Sequence, residues 1–198
     1  MTDQILQPEG HNVPAVFTRA QLDWLPWLEP MPEAALTPEH VKALVDRARM
    51  KSAYFRLLVR DPAALEARTL TDKDIFYNTE AGLPRAEREM AAAAASRYNG
   101  CIYCASVHAR FAATYSKREA DVDRLLAKGV GAELGERWDA IVAAAVALTG
   151  NPLRFGPEHV RRLRAVGLDN LAISDLIHAA SFFNWANRLM LSLGEPAE

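Results

Sequence analysis

Five consecutive alanines, Ala91–Ala95, constrain this chain more than any other stretch. Alanine has the highest helix propensity of the amino acids, so the run commits its neighbourhood to a helix. Its small side chains also let another helix approach closely. Leu83-Pro84 opens this helix and Asn99-Gly100 closes it, because Asn and Gly tolerate the left-handed conformation that ends helices. The reading is a helix over 84–98, a tight turn, and a second helix from Cys101 through Phe111 and Tyr115. Together they form a helix-turn-helix over 83–115.

The same punctuation recurs along the chain. Thr37 is a cap with Pro38 behind it. Val41, Leu44, Val45, Ala48, Leu57 and Leu58 then recur at roughly helical spacing, which predicts a helix ending near Asp61-Pro62. Asp61 caps the next helix, which runs through Leu65 toward Phe76. Further helices are expected at 118–128, 134–149, 157–166 and 169–193, separated by Gly129, Gly131, Gly150-Asn151-Pro152, Gly156-Pro157 and Gly167. Asp169 caps the last one, and Gly194 and Pro196 stop it. Residues 1–36 read as an extended arm, with Pro8, Gly10 and Pro14, followed by a short helix holding Leu22, Trp24, Leu25, Trp27 and Leu28. The arm is expected to dock on its own core or on a neighbouring subunit. No run of alternating β-branched residues predicts a strand. The expected fold class is all-α: one domain over 1–198, about eight helices and an extended N-terminal arm.

Composition bounds the function. The formal net charge is −2, so no strong field favours nucleic acid or an anionic membrane. The apolar runs Met90–Ala95 and Ala140–Leu148 are too short to span a bilayer. Residues Met1–Pro8 lack the basic and apolar regions of a signal peptide, which leaves a cytoplasmic location as the expectation.

The two cysteines of the chain, Cys101 and Cys104, are three apart and sit at the start of the second motif helix. Unpaired N–H groups at a helix N-terminus stabilise a thiolate there. Cys101, Cys104 and His108 are i, i+3 and i+7, so one helix face carries both sulfurs and the imidazole. Glu89, on the preceding helix, can be folded back by the turn to face them. It would orient His108 or act as the base itself. A thiolate attacks peroxide oxygen, and a second cysteine then closes a disulfide. The spacing also admits other readings. Zinc needs four ligands as a rule, and His159 and His178 lie far off in sequence. A thioredoxin-type motif would follow a strand, and here a helix precedes Cys101. Two inert buried cysteines would make the chain a structural oligomer. A dithiol exchanging with a protein or lipoyl partner without peroxide turnover is the remaining alternative. His178 reads as a core histidine. Asn187 and Arg188 read as structural residues at helix ends or a subunit contact. Trp24, Trp27, Trp138 and Trp185 read as packing residues.

The pattern Glu89-x11-Cys101-x2-Cys104-x3-His108, with Asn99-Gly100 before the first cysteine, resembles the alkyl hydroperoxidase D (AhpD)-like group of the carboxymuconolactone decarboxylase superfamily. The segment Phe182-Phe183-Asn184-Trp185-Ala186-Asn187-Arg188, followed by Leu193-Gly194, is similar to that family's closing helix. The length and the arm look like its uncharacterised peroxidase-related branch. The resemblance implies an all-helical homo-oligomer, often a trimer or hexamer, with no haem, flavin or metal cofactor. It implies a peroxidase acting on alkyl hydroperoxides and recycled by an external dithiol reductant of protein or lipoyl type. By carry-over, Cys104 is the peroxidatic cysteine and Cys101 closes the disulfide and meets the reductant, with Glu89 and His108 as proton relay. The best-studied members have a second histidine between the cysteines. Tyr103 stands there in this chain, either supplying a hydroxyl or packing.

Overall fold

The computed structural model describes residues 5–78 and 80–198. Its centre is the helix that the alanine run nucleates. With helices numbered in chain order, that helix is α4, Arg85–Tyr98. Around it stand α3 (Pro62–Tyr77), α5 (Ile102–Ser116), α7 (Glu136–Thr149) and α9 (Asn170–Leu193). The remaining helices are α1 (Pro38–Ala43), α2 (Ala53–Leu58), α6 (Glu119–Lys128) and α8 (Pro157–Ala165). Met90 and Ala91–Ala95 are fully buried on every face of α4. A helix can be apolar all round only when other helices enclose it, and methyl-sized side chains let three of them approach at once.

Capping follows the sequence closely. Thr37 Oγ1 accepts from His40 N–H, Asp61 from Ala64 N–H and Asp169 from Ala172 N–H. At the end of α4, Gly100 adopts φ +80° and Cys101 N–H donates to Ser96 C=O at 2.9 Å. That is a Schellman closure, and it delivers Cys101 to the start of α5.

Three expectations need correcting. The helix expected from Pro38 to Asp61 is broken into α1, a one-turn 3-10 segment Arg47–Lys51, and α2. Val45 takes φ +64°, and Asp46 Oδ1 accepts from Ala48 N–H, so a local side-chain bond replaces the helical ladder. Ala43, Leu44, Val59 and Leu65 form a small separate core there, which a straight helix would pull apart. The short helix expected around Trp24, and the absence of strands, are also overturned. Asp23–Pro26 is strand β1 and pairs antiparallel with β2, Gly194–Ala197, with Trp24 opposite Pro196. The sheet closes because position 194 has no side chain. A Cβ there would lie 2.2 Å from Leu25 O and 2.4 Å from the Trp24 ring. The arm docks on its own chain: Leu6 N–H donates to Trp27 C=O, and Arg19 pairs with Asp123 at 2.6 Å.

Buried ion pairs lock the helices together. Arg88 donates to the carbonyls of Leu83, Ile75 and Ala81 and pairs with Asp175 of α9 at 2.9 Å. Glu87 takes Arg137 of α7 in a fork of two 2.7 Å bonds. Among the described residues, no helix is long and apolar enough to cross a membrane.

Candidate active site

The turn after α4 folds α5 back along it, and that reversal brings Glu89 to His108. Glu89 Oε2 lies 2.5 Å from His108 Nδ1. Both side chains are buried, Glu89 to 1 % exposure. The other carboxylate oxygen, Oε1, accepts from Arg85 Nε at 2.6 Å. Arg85 also donates to Phe76 C=O and lies over the ring of Tyr77 at 4.2 Å. The His108 ring is held between Phe76 and Phe183, whose centroids are 5.3 and 3.8 Å away. Carboxylate, imidazole orientation and ring packing are therefore all set. With Nδ1 held by Glu89, Nε2 is the nitrogen left to exchange a proton.

Both cysteines are thiols and buried. They hydrogen-bond to each other and titrate as a pair. Cys101 is pulled below the ordinary cysteine range, chiefly by the bond from Cys104, and further by the Cys104 backbone N–H and the Asn187 amide, against burial. Cys104 is pushed well above that range by donating to Cys101 and by burial. The first thiolate to form is thus at Cys101, at the start of α5. Asn187 is fully buried and donates to Ser96 Oγ at 3.0 Å while accepting from Asn99 at 3.0 Å. It holds the end of α4, as expected of a structural residue, and it also touches both sulfurs.

The two sulfurs face different spaces. Cys104 lines a cavity of about 230 Å³ together with Glu89, His108, Arg85 and Tyr103, walled by Phe55, Phe76, Phe111 and Phe183. Cys101 lines a separate cavity of about 200 Å³ bounded by Val13 of the arm, Trp24 of β1, and Gly194 and Pro196 of β2. Tyr103 borders both. Burial raises its phenol above the usual range, so it stays protonated. Among the described residues no direct hydrogen bond joins Cys104 to Glu89 or His108; the three share the cavity instead.

The other sequence expectations divide. His178 is exposed and borders an outer cleft with Asp74, Glu80 and Asp175, which corrects its reading as a core histidine. His159 Nδ1 accepts from Gly156 N–H and completes a cap. Among the described residues, no three His, Cys, Asp or Glu side chains are grouped to hold a metal ion. Trp24 and Trp138 are buried, but Trp185 is half-exposed. Arg188 is exposed and bonds back to Asn184. Sequence reasoning missed Arg85, although its i, i+4 spacing from Glu89 was a legible signal. It also missed Arg68 and Tyr54, which enter the cavity from α3 and α2 and carry no local motif.

Residues 62–147 match the carboxymuconolactone decarboxylase family. No curated protein matches the chain. Among solved structures, the chain is similar to an AhpD-core, uncharacterized peroxidase-related protein from Ralstonia eutropha JMP134. Their identity is 22 % and the TM-score 0.71, over 85 % of this chain and 90 % of that one. An uncharacterized peroxidase-related protein from Silicibacter sp. TM1040 is 23 % identical with TM-score 0.69, over 84 % and 89 %. The debrominase Bmp8, as a cysteine-to-alanine variant in complex with 2,3,4-tribromopyrrole, is 17 % identical with TM-score 0.62, over 83 % and 87 %.

Proposed function

We propose that this chain, whose residues 62–147 match the carboxymuconolactone decarboxylase family and whose fold is similar to an AhpD core, is a thiol-dependent peroxidase for organic hydroperoxides. One observation carries the reading. Cys104 shares a cavity with a buried Glu89–His108 pair, while its partner Cys101 lines a second cavity.

The steps balance without a cofactor. Cys104 must first lose its proton, which in the resting pair is offered to Cys101. His108 Nε2, backed by Glu89, is the base that takes it through the peroxide or a bridging water. The Cys104 thiolate attacks the outer peroxide oxygen, the O–O bond breaks, and the alkoxide takes a proton from the imidazolium and leaves as alcohol. The Cys101 thiolate then attacks the sulfenic sulfur, giving a disulfide and, with one proton, water. An external dithiol of protein or lipoyl type, entering on the Cys101 side, returns both cysteines to thiols and leaves as its own disulfide. Tyr103, protonated and placed between the cavities, supplies a hydroxyl where the best-studied relatives have a histidine. Assembly as a trimer or hexamer and a cytoplasmic location belong to the same proposal.

The test is single-turnover oxidation of the fully reduced protein by cumene hydroperoxide, following thiol content and intact mass. Rapid loss of two thiols and two hydrogens is expected, and Cys104→Ser abolishes it. Oxidation at the pace of free cysteine would sink the reading. A second reading, reductive dehalogenation of an aromatic halide, is favoured by the four phenylalanine rings around Cys104 and by the likeness to Bmp8. There the two thiols become a disulfide while carbon–halogen becomes carbon–hydrogen and hydrogen halide leaves. Halide release from a bromopyrrole, with no reaction toward peroxide, would establish it instead.

A further inference from the structure

The Cys104 cavity holds polar groups that the peroxide chemistry does not use. Arg68 of α3 is 9 % exposed and Tyr54 of α2 is 7 % exposed, and both line the cavity that Cys104 lines. Neither is satisfied: Arg68 Nε and the Tyr54 hydroxyl are buried with no hydrogen-bond partner. Burial pushes the Tyr54 phenol up, so it is a donor in search of an acceptor. The Arg68 guanidinium lies 5.5 Å from the Phe55 centroid and 5.1 Å from that of Phe182, and its Nε hydrogen is left unspent. Its carboxylate neighbour, Asp72, is shared. Arg68 Nη1 reaches it at 3.4 Å and Arg49 Nη2 at 3.8 Å, both long for charge-assisted bonds. Asp46 also acts on Arg49, so what is left unmet at this cluster is the buried Nε–H of Arg68. Buried donors left unpaired are costly, and a bound acceptor would relieve that cost.

We propose that Arg68 and Tyr54 form an anion subsite, and that the substrate of Cys104 is a compact organic hydroperoxide carrying a carboxylate. The carboxylate takes the Arg68 guanidinium and the Tyr54 hydroxyl, and the peroxide end lies toward Cys104 and His108. At about 230 Å³ the cavity is smaller than the roughly 300–1,000 Å³ of most small-molecule pockets, so the body between the two ends is a single ring or a short chain. The aromatic walls suit either. This inference rests on the peroxidase reading for its chemistry, but the anion subsite itself is testable without turnover.

The experiment is calorimetric titration of the Cys104→Ser protein with benzoate and, separately, with its neutral isostere benzamide. Benzoate is expected to bind about tenfold tighter or more, as a charge-assisted bond requires. Arg68→Met removes the difference, and Tyr54→Phe, which deletes one hydroxyl, lowers benzoate affinity even if the arginine variant fails to fold. Equal binding, no binding, or benzoate binding indifferent to both substitutions would overturn the subsite and leave water as the partner of these donors. In parallel, the unsubstituted protein is assayed with cumene hydroperoxide and its para-carboxylate, and a lower KM is expected for the carboxylate. Turnover of both peroxides with equal KM and no benzoate preference removes the subsite and keeps the peroxidase. Arg68-dependent benzoate binding with turnover of neither peroxide keeps the subsite and removes the peroxidase.

Discussion

Cys104 donates its S–H to Cys101, so each sets the acidity of the other. Ultraviolet thiolate absorbance should therefore rise in two steps as pH increases. The first, from Cys101, lies below the ordinary cysteine range, and the second, from Cys104, lies well above it. Cys101→Ser takes away the largest cause of the Cys104 rise and leaves burial, so the Cys104 step should move to lower pH. An unchanged Cys104 step would show that burial alone sets it. Glu89 is tied differently, to an arginine and an imidazole at once. Glu89→Gln leaves the Arg85 charge without its partner and should cost about 3–5 kcal/mol in urea unfolding, the usual penalty for breaking a buried pair. It should also slow single-turnover oxidation by about 10²–10⁴-fold if His108 acts as base. A large stability loss with an unaltered rate would make the pair structural only.

At the scale of elements, two glycines do opposite jobs. Gly100 is needed for its backbone: φ is +80° and a Cβ would meet nothing within 4 Å. Gly100→Ala should cost about 1–2 kcal/mol, the penalty of the left-handed conformation alone. Gly194 is needed for space, since a Cβ would strike Leu25 O and the Trp24 ring. Gly194→Ala must part β1 from β2 and should lose more stability than Gly100→Ala. It should also expose Trp24, read as a red shift of fluorescence. The opposite ranking in denaturant titrations would refute this account. The same strands wall the Cys101 cavity, so the chain's two ends shape the face where a reductant is proposed to enter.

At the scale of the molecule, Arg88 is the hub. It is 3 % exposed and joins α3, the following loop, α4 and, through Asp175, α9. Leu83 N–H donates to the same Asp175 at 2.8 Å, and Gly82 leaves room for that carboxylate. Arg88→Met leaves three carbonyls without their donor and Asp175 without its buried cation. A loss of about 3–5 kcal/mol is expected, with faster hydrogen exchange in the loop before α4 and in α9. Exchange confined to α4 would show that the hub does not couple them. These ties hold Phe76 of α3 and Phe183 of α9 against the His108 ring, so the site depends on a framework well outside its own motif.

What the sequence determined by itself is whatever depends on neighbours along the chain. The alanine run, the Asn99-Gly100 stop and the caps at Thr37, Asp61 and Asp169 specify helices and their ends through bonds spanning a few residues. The helix-turn-helix around Cys101 follows from them, as does the one-turn spacing that sets Cys104 and His108 on one face of α5. Only the tertiary structure decided what depends on distant partners. The strand at Trp24 exists because Gly194 lies beside it, 170 positions along. The long helix before Asp61 breaks because Leu44 and Val59 are drawn into a core with Leu65. Arg68, Tyr54 and Phe183 reach Cys104 from three other helices, and His178 faces outward despite apolar neighbours. Burial and long-range packing create those relations, and no local spacing encodes them.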